Sequence, residues 1–276
     1  MSLQNPPRAL FFDIFGTVVD WRSSIHRALT QRAHHALHDP QRSLSPTLRE
    51  RLSALTDHDW HVFASEWRHS YKIFTRTYDP GAHEEEGFVS VDQHHWDALR
   101  NLLQKWQLAD DNGGCIFTDD EIRALALSWH YLDPWPDSIE GLARLNLMFE
   151  TSTLSNGNVS LLSELCRHGP LPFKHVTSAE EFGAYKPSPV VYDGAAHKLG
   201  LEPAECALVA AHLADLKAAK ARGFQTIYVE RPQEEDFTEE EVAQAKQDGW
   251  VDMWVELKED GFREVAKRFR DLLWKT

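Results

Sequence analysis

Asp13 stands directly before Ile14-Phe15-Gly16-Thr17. A carboxylate ahead of a tight Gly-Thr turn is held rigid and exposed. Because it is ionised at neutral pH, it is a nucleophile that needs no base to activate it. Lys186, in Tyr185-Lys186-Pro187, offers the positive charge that keeps such a carboxylate ionised and in place. Ser155-Asn156-Gly157 brings a hydroxyl, an amide and backbone N–H groups, donors suited to a small anion such as a substrate carboxylate or phosphate. Asp215 adds a second carboxylate. Singly, each has a plainer reading: Asp13 and Asp215 as caps, Lys186 as a surface lysine, Ser155-Asn156-Gly157 as an ordinary turn.

The elements that must position these groups are legible on either side of them. The apolar run Ala9-Leu10-Phe11-Phe12 predicts a buried strand that ends at Asp13. Residues 21–133 read as almost purely helical, with apolar positions recurring at threes and fours: Trp60, Phe63, Ala64, Trp67, then Trp96, Leu99, Leu102, Leu103, Trp106. Thr118 or Asp119 caps a helix through Leu127, and 79–81 and 110–114 read as loops. After Asp133-Pro134-Trp135-Pro136 the pattern changes to strand-helix alternation. Strands are expected at 151–154, 206–211 and 225–229, an edge strand at 250–255, and helices at 139–147, 159–167, 189–199, 215–222 and 262–273. The fold class is therefore α/β, a Rossmann-like parallel-sheet core (1–20 and 134–276) with an inserted helical cap (21–133). In such sheets chemistry sits past the carboxyl ends of the strands, which brings Asp13, Ser155, Lys186 and Asp215 together under the cap.

Composition narrows the partners. The chain has 276 residues, 42% hydrophobic and 26% charged, with 29 basic and 43 acidic residues and a formal charge of −14. An acidic chain is a poor match for phosphate backbones, so nucleic acid is not an expected partner. No apolar run is long enough for a membrane span. Cys115, Cys166 and Cys206 form no CxxC pair, and the N-terminus reads as no signal peptide, so a cytoplasmic, reducing compartment is expected. The histidines, among them His34-His35, His58, His61 and His94-His95, are read as lacking a helical i, i+4 pairing with a carboxylate, so no metal site is expected. Glu84-Glu85-Glu86 and Glu234-Glu235-Asp236 read as solvated charge runs.

In their order and spacing, Asp13-Ile14-Phe15-Gly16-Thr17, Ser155-Asn156-Gly157, Lys186-Pro187 and Asp215 resemble the motifs of the haloacid dehalogenase superfamily over nearly the whole chain. Within it the chain is most similar to the L-2-haloacid dehalogenase branch. Phe15 stands where phosphatase members carry a second Asp, Trp67-Arg68 resembles the Trp-Arg that binds departing halide, and Tyr192 follows Lys186-Pro187 at the branch's spacing. The resemblance implies metal-independent hydrolysis of short 2-haloalkanoic acids to 2-hydroxy acids through an ester on Asp13, with no cofactor. It implies that Arg68 takes the halide, Ser155, Asn156 and Gly157 with Phe15 and His212 bind substrate, and Lys186 orients Asp13. Thr17 bonds to the nucleophile or its loop, Tyr192 supports the pair, and Asp215 places water. The partners it implies are a small 2-haloacid and the released halide, and it admits a homodimer. Val209-Ala210-Ala211-His212-Leu213-Ala214-Asp215 departs from the branch, which carries Ser-Ser-Asn and a Trp at Ala210, Ala211, His212 and Ala214. Two alternatives stay open: a Mg²⁺-dependent phosphatase of a small metabolite, and a non-catalytic binding homologue.

Overall fold

Ala9–Phe12 form β1, and all four residues are fully buried. A strand apolar on both faces must lie inside a sheet covered on both sides. β1 pairs in parallel with β4 (Glu150–Thr153) on one side and β5 (Cys206–Ala210) on the other. β6 (Gln225–Val229) and β7 (Met253–Val255) complete a five-stranded sheet in the order β4-β1-β5-β6-β7, parallel throughout. In this computed structural model the described residues are 6–79, 81, 88–110 and 113–274. Glu84-Glu85-Glu86 thus lies outside them.

After β1 the chain turns and enters β2 (Val19–Asp20), which pairs antiparallel with β3 (Asp133–Pro134). This two-stranded ribbon joins the start and finish of a helical excursion. The excursion holds α1 (Trp21–His38), α2 (Pro46–Ser53), α3 (Asp57–Thr77), α4 (Val91–Lys105) and α5 (Asp119–Ala126), then a 3₁₀ turn at Leu127–His130. Helix starts are set by side chains: Thr56 and Thr118 form reciprocal capping boxes with Asp59 and Glu121. Stacked and edge-on tryptophans hold the helices together, Trp129 lying 6.0 Å from Trp21 and 5.5 Å from Trp67 between ring centroids.

The sheet is flanked by α6 (Ser138–Leu145), α7 (Val159–His168), α8 (Pro189–Lys198), α9 (Leu213–Ala221), α10 (Glu239–Asp248) and α11 (Gly261–Leu273). Residues 175–178 add no full strand beyond β4. His175 bridges β4 at Ser152 and Ser178 bridges Ser155 just past its end, and between them the Thr153 hydroxyl intervenes, donating to the Thr177 carbonyl at 2.9 Å and accepting its N–H at 2.8 Å. Lys186 therefore lies on a loop past this edge, not directly after a strand. No helix of the described residues is long and apolar enough to cross a membrane.

A buried ion pair braces the turn after β1 from the far end of the chain. Arg231 makes two bonds to Asp137, at 2.6 and 2.8 Å, and its Nε donates to the Thr17 carbonyl at 3.0 Å. Asp137 also accepts the Phe262 N–H at 2.7 Å. Removing one partner of such a pair strands the other charge in a dry site, so Asp137→Ala is expected to lower folding stability by about 3–5 kcal/mol. Urea denaturation checks this; an unchanged midpoint would show that the pair braces nothing.

Candidate active site

Three chain segments leave the carboxyl end of the sheet side by side. In register, Phe12 lies opposite Thr153 and Val209, so the residues just beyond are Asp13 in the middle, Leu154-Ser155 on one flank and Ala210-Ala211-His212 on the other. The Asp13 N–H donates to the Val209 carbonyl at 3.0 Å, which continues the ladder one residue and fixes the Asp13 Cα. The following turn closes on itself, with the Val18 N–H on the Ile14 carbonyl at 2.9 Å. Gly16 has φ +86°, and a Cβ there would sit 2.0 Å from a Glu234 carboxylate oxygen. Only glycine meets both demands.

Both carboxylate oxygens of Asp13 are engaged. Oδ1 accepts from Lys186 Nζ at 2.9 Å, and Oδ2 accepts from the Thr17 hydroxyl at 2.7 Å and from His212 Nδ1 at 3.1 Å. Burial by itself raises the Asp13 carboxyl, but the Lys186 charge and then the His212 contact outweigh it and hold it well below the usual carboxylate range. Lys186 is shared, its Nζ also reaching Asp215 Oδ2 at 2.5 Å, and Tyr192 donates to Asp215 Oδ1 at 2.7 Å. Burial would lower the lysine, yet Asp13 and Asp215 together leave it raised and charged.

Asp215 occupies the first turn of α9, which begins at Leu213 with His212 at the cap position. The expected start at Asp215 is thus two residues late. The Asp215 side chain turns to Lys186 and Tyr192, and the helix N-terminus is served instead by Glu235, which accepts the Leu213 N–H at 2.9 Å.

Glu234-Glu235-Asp236 is not a solvated charge run. Glu234 is buried against the Asp13 turn, where it accepts from Trp21 Nε1 at 3.1 Å, Arg22 Nε at 3.2 Å and His212 Nε2 at 3.4 Å. His212 therefore bridges two carboxylates, Asp13 and Glu234. Burial alone would lower its pKa, but bonds to Asp13 and Glu234 push it up to about 9. Glu234 was missed in the sequence; its signal is an acidic run at the end of β6, on the same side of the sheet as the other strand ends.

Arg68 comes from the helical excursion, on α3, and is buried. Its guanidinium lies 4.4 Å from the Tyr71 ring centroid, 5.1 Å from Phe15 and 5.7 Å from Trp21. It makes a long hydrogen bond, Nη2 to the Phe15 carbonyl at 3.5 Å, and its guanidinium also acts on the Tyr71 hydroxyl. Nε and Nη1 are buried without a partner. A buried cation held by aromatic faces rather than by a carboxylate has its donors free for an anion.

A cavity of about 140 Å³ connects Asp13, Arg68, Tyr71, Asn156, Lys186, Tyr192, His212 and Asp215. Drug-sized ligand pockets run to roughly 300–1,000 Å³, so this one suits a ligand of a few heavy atoms. Phe15, Thr17, Ser155 and Gly157 do not line it. Phe15 lies beneath Arg68, and Thr17 holds Asp13 and accepts the Ala211 N–H at 2.9 Å. Ser155 is fully buried, its Oγ accepting the Gly157 N–H at 3.2 Å. A Cβ on Gly157 would meet Leu161, Leu162 and the Phe15 ring at 3.1–3.3 Å, so the turn packs closely at this glycine. The Asn156 amide bonds the Lys186 backbone, accepting its N–H at 2.7 Å and donating to its carbonyl at 3.3 Å. It places the lysine loop.

The reading of the histidines needs correction. Asp57 and His61 are one helical turn apart on α3, and with His26 of α1 they form a group of donors that could hold a metal ion. The His26 and His61 rings stack 3.7 Å apart. This group shares no residue with the cavity at Asp13.

The chain is similar to known proteins over most of its length. A family model, haloacid dehalogenase-like hydrolase, matches residues 7–223. The (S)-2-haloacid dehalogenase 1 of Pseudomonas sp. (strain CBS-3) is 28% identical over 239 residues, 84% of this chain and 90% of that protein. Among solved structures, a defluorinating L-2-haloacid dehalogenase is 30% identical with a TM-score of 0.72, covering 96% of this chain and 95% of that one. Another L-2-haloacid dehalogenase is 29% identical with a TM-score of 0.71, covering 95% of this chain and 99% of its own. With its parallel sheet, the Asp13 turn at the carboxyl end of β1 and a family match over most of its length, the chain belongs to the haloacid dehalogenase-like hydrolase family.

Proposed function

We propose that the protein hydrolyses short 2-haloalkanoic acids to 2-hydroxy acids, with Asp13 as nucleophile and an ester on Asp13 as intermediate. The observation that carries this reading is the pairing, around one small cavity, of an ionised carboxylate held at both oxygens with a buried Arg68 whose Nε and Nη1 have no partner. Relatives matched over most of their length are named as dehalogenases of 2-haloacids, which supports the same reading.

In the first half-reaction a carboxylate oxygen of Asp13 attacks Cα of the substrate from the side opposite the halogen. The C–O bond forms as the carbon–halogen bond breaks, so the configuration inverts. Negative charge builds on the leaving halide, and Arg68 takes it up; an interaction that strengthens as charge develops lowers the barrier. In the second half-reaction water attacks the ester carbonyl carbon, not Cα, and the 2-hydroxy acid leaves with its hydroxyl oxygen drawn from Asp13. We read residues 21–133 as a cap that brings Arg68 over the nucleophile and keeps bulk water out.

His212 and Glu234 supply the base for the second step. Before reaction, two carboxylates hold a proton on the imidazole. Ester formation cancels the charge on Asp13 and removes one of the two groups that hold the proton, so His212 releases its proton to solvent and the neutral ring then takes one from the attacking water. Glu234 keeps the ring oriented. His212→Asn and Glu234→Gln are therefore expected to spare ester formation and slow its hydrolysis, by about 10²-fold or more. Rapid-quench kinetics would show a burst of about one halide per active site, and intact-protein mass would show the ester. Loss of the burst along with turnover would remove His212 from the second step.

Halide release from chloroacetate, bromoacetate, fluoroacetate and racemic 2-chloropropionate, with EDTA present, tests the function. The expected result is release, with one enantiomer of 2-chloropropionate consumed. Silence on all four, with Mg²⁺-dependent cleavage of a phosphate ester, would overturn it.

A further inference from the structure

Beyond Arg68, α3 carries two more cations on the same face, Lys72 and Arg76, one and two helical turns further on. All three line the cavity that holds Asp13. Arg68 is buried, the Lys72 side chain is 19% exposed and that of Arg76 57% exposed, so the row runs from the floor of the cavity to its rim. Like charges at i, i+4 and i+8 oppose helix formation, and the chain as a whole carries a formal charge of −14. A cationic stripe kept inside one cleft of an acidic protein needs an anion to face it.

In this structure that anion is Asp236. Its carboxylate meets Lys72 Nζ at 2.8 and 2.9 Å and Arg76 Nη2 at 3.3 Å, and it too lines the cavity. Asp236 belongs to the same acidic run that anchors Glu234 beside His212, and the contact reaches from the sheet side to α3 across the cavity. The cations at the rim are thus paired with a carboxylate of the protein, while Arg68 on the floor is not.

We propose that Lys72 and Arg76 are the entry site for the substrate carboxylate, and that Asp236 is a built-in competitor holding this entry closed until a carboxylate anion displaces it. The proposal rests on the dehalogenase reading for its substrate class. The cavity as a whole is mixed in sign, with Asp13, Asp215, Glu235 and Asp236 in its lining, but the charged groups on its α3 wall are all cations, and a local wall of one sign raises the capture of opposite ions. A carboxylate can take over the Lys72 bonds that Asp236 makes, so opening is selective for anions. A neutral analogue cannot displace Asp236.

The proposal makes Lys72 and Asp236 act in opposite directions, which damage to the fold would not do. Lys72→Met keeps the aliphatic stem and removes the charge; KM for 2-chloropropionate is expected to rise about ten-fold, with kcat within two-fold and a weaker dependence on ionic strength. Asp236→Asn frees both cations; KM is expected to fall. Calorimetric titration with propionate, which carries the carboxylate but no halogen, should show the same opposite shifts, and titration with propionamide should show none. The propionate arm separates the two readings. If the wild type releases no halide, the dehalogenase reading fails, and opposite shifts in propionate affinity still establish the gate. If both variants weaken propionate binding, Asp236 and Lys72 are a structural strut. If neither changes it, they play no part in entry. Either result overturns the proposal.

Discussion

Asp13→Asn is expected to lower kcat for halide release from 2-chloropropionate by about four orders of magnitude or more. Removing the nucleophile of a covalent mechanism leaves only binding and electrostatic contributions, and losses of roughly 10⁴–10⁶ are seen when such a unit is broken. The substitution is a clean test because the site keeps its charge partners. Lys186 retains Asp215 at 2.5 Å, and His212 retains Glu234 at 3.4 Å. Asn keeps the shape of Asp, so the fold should persist, and a matched thermal transition would confirm that lost activity is lost chemistry. Activity within ten-fold of wild type would exclude Asp13 as the nucleophile.

Arg68→Ala is expected to lower kcat by about 10²–10³-fold, the scale found when a donor to a developing anion is removed. The loss should depend on the leaving group and be largest for fluoride, which departs with the most charge in need of stabilisation, and smallest for bromide. Arg68→Lys should recover little. The cage of Tyr71, Phe15 and Trp21 holds a flat cation against ring faces, and an ammonium neither stacks there nor presents the same fork of donors. Halide release measured across fluoro-, chloro- and bromoacetate checks both points. Equal losses for all three would show that Arg68 binds the substrate and not the departing halide.

The strand ending at Asp13 was legible because an unbroken apolar run followed by Gly-Thr has few other readings, and the alternation after residue 134 sufficed for a parallel sheet. Lys186 and Asp215 could be named from sequence, but their geometry is tertiary. One lysine spans two carboxylates, and Asp215 faces that lysine from inside the first turn of α9. Asn156 was read as a substrate donor because its type and position permit it; it lines the cavity, and the fold gives its amide a further task that sequence does not show, bonding the Lys186 backbone. Glu234-Glu235-Asp236 was misread. Three consecutive acids are usually solvated, and nothing within ten residues of them reveals that Arg22, Lys72 and His212 converge there from distant parts of the chain. The pairing of Asp57 with His61 was available from spacing alone and was passed over; only His26, brought by α1, makes it a cluster.

The central claim is that water attacks the ester on Asp13 and never the substrate carbon. A single turnover in H₂¹⁸O, with enzyme in excess over 2-chloropropionate, tests it directly. The account predicts an unlabelled 2-hydroxy acid, with one ¹⁸O appearing in the peptide that carries Asp13. A hydroxy acid labelled in that first turnover, with Asp13 unlabelled, would mean that water displaces the halide itself and would contradict the account.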